Sequence, residues 1–147
     1  MENRGSRLAA RFRQAVSEQE QAKQQAEQQR ALATAEAQRA RADLLVELEA
    51  FGREIGVVRV ARQGEGLTLR YGERYVQFEP NGDQDRLSVT IEGVKDEELW
   101  LFRQPELGNR WVAVRRRRSR EDRVPLFDQG LEDLLVRGLG LPAPTDP

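Results

Sequence analysis

The sequence predicts an α+β fold: a long N-terminal helix, then a small antiparallel β-meander of about six strands, capped by a C-terminal helix. Three observations carry this expectation. Residues 6–51 contain neither glycine nor proline and consist mostly of Ala, Gln, Glu and Arg, all good helix formers. From residue 55 onward, β-branched and aromatic residues alternate with polar ones between short turns. Near the end, Leu131, Leu134 and Leu135 fall on one face of a helical pattern.

The first helix reads as capped by Ser6 and ended by Gly52 with Gly56. Leu8, Phe12, Ala15, Ala22 and Ala26 recur at four–three spacing, with Gln19 and Gln29 filling the same seam. Between residues 18 and 43 the sole large aliphatic is Leu32, after which Leu44, Leu45, Val46, Leu48 and Phe51 form a dense cluster. Large residues therefore do not hold a strict heptad. The expectation is self-association, or docking on a partner protein, through an alanine seam with apolar ends: Leu8, Phe12, Ala15, Ala22, Ala26, Leu44, Leu48 and Phe51. The alternative is a solvated helix held by i,i+4 pairs such as Glu49–Arg53.

The strands follow in order as "IGVVRVARQ", "LTLRY", "RYVQF", "RLSVTIEG", "ELWLFRQ" and "RWVAVRR". Gly72-Glu73 makes a two-residue loop suited to a type II′ turn, which sets Leu67 opposite Phe78 and Leu69 opposite Val76. The turn "PELGN" pairs Gln104 with Arg110, hence Phe102 with Val112 and Trp100 with Val114. Short turns throughout imply an antiparallel meander rather than βαβ units. Asp128 reads as the cap of the last helix, with Gly138 and Pro142 as its stops. That helix is expected to cover its own sheet rather than to serve as a partner's ligand. The division is thus 1–54 helix, 55–141 β domain with its C-terminal helix, and 142–147 a loose tail. A meander closed by a C-terminal helix resembles, in outline, pleckstrin-homology-like modules; the resemblance implies a fold and no ligand.

Composition removes much chemistry. There is no cysteine and no histidine, so disulfides, thiolate or imidazole metal sites, and Ser-His or Cys-His nucleophiles are excluded. No P-loop or dinucleotide fingerprint occurs, and no cofactor is implied. Asn81, Asp83, Asp85 and Glu92 match calcium-loop positions 1, 3, 5 and 12, but Arg86 stands where that loop needs glycine. A plain Asn-Gly turn is the better reading. The N-terminal residues lack a signal-like apolar run and no stretch is long enough to span a bilayer. A cytoplasmic, bacterial protein is the expectation.

One run remains: "WVAVRRRRSREDR", residues 111–123. Extending the "PELGN" register brings Glu98 to Arg116, Glu97 to Arg117 and Asp96 to Arg118, so much of the charge is expected to be neutralised within the hairpin. Trp111 shares strand parity with Arg115 and Arg117, which makes these the best candidates for a nucleic-acid or phosphate contact, together with Arg116, Arg118, Arg120 and Arg123. Trp100, Trp111 and Phe102 otherwise read as core. The leading functional expectation is a non-enzymatic oligomerising adaptor. A nucleic-acid-binding accessory protein is second, and a carboxylate-only hydrolase a distant third.

Overall fold

A computed structural model describes residues 3–82 and 85–144. Helix α1 spans Arg4–Ile55. Its cap is Asn3, whose Oδ1 accepts the Ser6 N–H at 2.7 Å, the bond an N-cap side chain makes to the first turn. Ser6, expected as the cap, therefore lies inside the helix. Gly52, expected as a stop, is also inside it and buried. A Cβ at Gly52 would sit 2.8 Å from Val60 Cγ2 and 2.9 Å from Leu69 Cδ2, so this glycine serves close helix–sheet packing. The helix ends before Gly56, the other expected stop, at φ +81°, the left-handed conformation favoured just past a C-cap.

Packing divides the chain into a unit ending at Glu36 and a unit beginning at Ala37. In the first, residues 4–36 are one helix whose large apolar side chains are more than half exposed: Leu8 51%, Phe12 64%, Val16 51% and Leu32 71%. In the second, helix residues 37–55 join the strands in one core, which groups them with the sheet although composition grouped them with the helix.

Seven strands follow among the described residues, one more than expected: β1 Arg59–Gln63, β2 Gly66–Tyr71, β3 Arg74–Pro80, β4 Arg86–Ile91, β5 Glu98–Gln104, β6 Arg110–Arg117 and β7 Arg120–Pro125. Each pairs antiparallel with its neighbours in sequence, giving one sheet of order β1 to β7. The predicted registers hold: Leu67 faces Phe78, Leu69 faces Val76, Gln104 faces Arg110 and Trp100 faces Val114. At the β2–β3 turn Gly72 has φ +63° while Glu73 does not enter positive φ, the pattern of a II′ turn.

The extra strand is "REDRVP". Four charges and a proline hide it from any apolar alternation, yet an edge strand needs hydrogen bonds on one side only. Its charges and proline also blunt the edge against further pairing. It joins β6 through Arg118-Ser119, with Arg118 at φ +55° and Arg117 opposite Arg120.

One face of the sheet carries the core. Leu67, Leu69, Phe78, Leu87 and Leu101 pack against Leu44, Leu45 and Leu48 of α1. The remaining cover is α2, residues 126–138, which opens and closes with wide π-type turns, Leu126–Gly130 and Leu134–Gly138, around the single α turn Leu131–Asp133. Its Leu126, Leu131, Leu134 and Leu135 enter the same cluster, so it covers its own sheet as expected. Full burial of each leucine contributes about 1.5–3 kcal/mol. Asp128 lies within the first turn rather than at the cap; the helix begins at Leu126 because Pro125 before it is extended, at ψ 134°.

Candidate functional site

Residues 115–123 form the β6–β7 hairpin, and strand alternation sends their arginines to different environments. Arg115 is on the core face. It reaches Asp122 of β7 at 3.5 Å and Asp133 of α2 at 3.6 Å. Trp111, on the same face, is 7% exposed and belongs to the core cluster, leaving no ring face on which a base could stack. Arg117 and Arg120 close the hairpin on that side; Arg120 lies 3.7 Å from Asp122. Together with Glu97 and Arg137 these residues line an open polar hollow of about 380 Å³.

The expected opposition of "DEE" to the arginines holds at one position only. Glu98 faces Arg116, but β5 begins there, and Glu97 turns to Arg137 at 3.4 Å instead. The acids that sequence reasoning missed lie on β7: Glu121 is opposite Arg116 and Asp122 opposite Arg115. Arg123 is held by Glu121 at 3.0 Å. Among the described residues, neutralisation of Arg115, Arg120 and Arg123 therefore comes from β7 itself and from α2, not from β5.

The other face of the same hairpin is built differently. Arg116 and Arg123 extend over the surface away from the core, beside two side chains read from sequence as core. Trp100 and Phe102 alternate with the buried Leu101, and so stand half-buried on the outer face. Arg86 lies over the Trp100 ring with its guanidinium carbon 4.8 Å from the centroid, and Arg116 lies 5.9 Å from it. Arg123 sits 5.4 Å from the Phe102 centroid. These are cation–π distances. Beneath them Val112 and Val114 are buried. The available signal was "LWLF": when both parities of a strand are apolar, one apolar pair must face away from the core.

The helix-association residues also separate. Leu8, Phe12, Ala15 and Ala22 are exposed and Ala26 is half-buried within the first unit. Leu44 and Leu48 are fully buried against the sheet, and Phe51 packs beside them. These last three are intramolecular core, which corrects their assignment to an intermolecular seam. The pair Glu49–Arg53 forms at 2.8 Å.

Of the calcium-loop residues, Asp83 lies outside those described. Asp85 binds the buried Arg103, whose Nε donates to Oδ1 at 2.9 Å while Nη1 donates to Asn109 Oδ1 at 2.8 Å. That clamp ties the β3–β4 turn to the β5–β6 turn. Among the described residues no three metal-ligating side chains cluster, and no helix is long and apolar enough to cross a membrane. A groove of about 500 Å³ lies beside Trp111 and the half-exposed Phe127, rimmed by Asp43, Glu47 and Asp128. No family model, curated protein or solved structure matches the chain.

Proposed function

We propose that the protein is a non-enzymatic oligomerising adaptor in which helix residues 4–36 pair with a second copy and the β domain presents a recognition surface. The observation that carries this reading is the first unit itself. It is a helix with no core, yet it bears Leu8, Phe12, Ala15, Ala22 and Ala26 along one seam, the first two exposed by more than half. Helices in proteins draw most of their stability from packing an apolar face, and here that face has no cover within its unit.

The seam also favours an orientation. With Leu8, Ala15 and Ala22 at d positions and Phe12, Gln19 and Ala26 at a, Glu18 falls at g and Lys23 at the following e. A parallel, in-register pair then sets Glu18 of each copy against Lys23 of the other, the arrangement that selects partners in coiled coils. The non-enzymatic part of the reading is supported by the side chains present. Thiol and imidazole are absent from the sequence, and the clustered carboxylates Glu97, Asp122 and Asp133 are each held by guanidinium groups, as is Glu121 on the other face.

Sedimentation equilibrium at micromolar concentration is expected to give about twice the 16.8 kDa chain mass. Phe12→Glu should return the single mass and leave the near-ultraviolet spectrum of the β domain unchanged. Glu18→Lys should weaken the dimer several-fold, since each exposed pair contributes about 0.2–1 kcal/mol, and adding Lys23→Glu should restore it. A wild-type chain that stays at one mass across that range defeats the proposal.

A further inference from the structure

We infer that the outer face of the sheet around Trp100 and Phe102 is a binding platform for single-stranded nucleic acid. The two rings sit at i and i+2 on β5, about 7 Å apart at ~3.4 Å per residue, pointing to the same face. Trp100 has Ser88 and Val114 as its cross-strand neighbours and Phe102 has Arg86 and Val112, and both rings are half-buried on that face. Guanidinium groups from three other positions border them: Arg86 of β4, Arg116 of β6 and Arg123 of β7. Among the described residues, neither Arg86 nor Arg116 has a carboxylate within 4 Å. Of the two acids on this part of the face, Glu121 is committed to Arg123 and Glu98 stands opposite Arg116.

The ligand class follows from this combination. Aromatic faces next to unpaired guanidiniums suit a strand whose bases are unstacked and whose backbone is anionic, because stacking is tolerant of sequence and the cations track phosphate. A duplex hides its base faces, and a peptide of acidic residues has no aromatic bases to stack on the rings. The core face of the same hairpin offers neither property: Trp111 is buried and Arg115 is paired twice.

Fluorescence anisotropy of a labelled oligothymidylate of about twelve nucleotides, a length within one small binding site, tests the inference with the full-length protein. Binding should weaken with salt at a log–log slope of about −1.4, from roughly 0.7 per neutralised phosphate over the two guanidiniums without a carboxylate, Arg86 and Arg116. Trp100→Gln should weaken it about tenfold or more, the order expected for losing one stacked base, whereas Trp100→Phe should largely retain it. Arg86→Gln with Arg116→Gln should bring the slope close to zero. Arg117→Gln with Arg120→Gln, on the core side of the hairpin, should change neither affinity nor slope. If Trp100→Gln fails to fold by circular dichroism, the Arg86/Arg116 pair decides, since those side chains only overlie the surface. The inference is overturned by absence of binding at low salt, by equal competition from polyglutamate, or by binding that survives the Arg86/Arg116 change but not the Arg117/Arg120 change.

Discussion

Arg118 occupies left-handed backbone, φ +55°, where a Cβ costs roughly 1–2 kcal/mol. The β6–β7 loop has only two residues, and a hairpin that short needs positive φ at its first position. Arg118→Gly should therefore stabilise the protein, by about 0.5–1 kcal/mol once the added freedom of the unfolded chain is subtracted. The urea midpoint should rise at unchanged slope, and a fall would mean that the arginine side chain contributes more than its backbone strain. The same residue shows what a run of identical letters conceals. Arg115 is bound to two aspartates, Arg116 overlies a tryptophan, Arg117 ends a strand and Arg118 makes a turn. Their division by strand alternation was legible in the sequence; the acids that stand across from them required knowing that β7 exists.

Among elements, the hairpins were the most legible, because two-residue turns and paired apolar positions fix register locally. β5 and β6 pair in the expected register, yet the side of the sheet on which the core lies was not readable. Leu99 and Leu101 are apolar on one parity and Trp100 and Phe102 on the other, so alternation gives no preference. Helix coverage decides, and that is a long-range fact. A similar ambiguity affects α1: an apolar cluster such as Leu44, Leu45 and Leu48 demands a partner without saying whether that partner is its own sheet or another chain. The glycine four residues on would have been informative. At Gly52 the helix meets Val60 and Leu69 too closely for a Cβ, so Gly52→Ala, ordinarily favourable in a helix, should destabilise by about 1–3 kcal/mol through overpacking. Thermal melting gives the sign: a raised midpoint would show that the helix and sheet yield at no cost.

At the scale of the whole molecule, the buried apolar residues among those described begin at Ala37. A chain starting at residue 37 should accordingly keep a cooperative unfolding transition within about 1 kcal/mol of the full-length value, the difference being roughly the lost helix cap. It should also sediment as a single copy. A truncated chain without near-ultraviolet signal would place part of the fold's stability in the first 36 residues.

The sheet order also sets a timetable for synthesis. Because spatial order equals chain order, each strand leaving the ribosome finds its neighbour already made, and only short loops must close. The helix cover runs the other way. Leu44, Leu45 and Leu48 are translated before every strand on which they pack. At about 5–20 residues per second, that leucine cluster waits several seconds for its sheet, and α2, made last, closes the core.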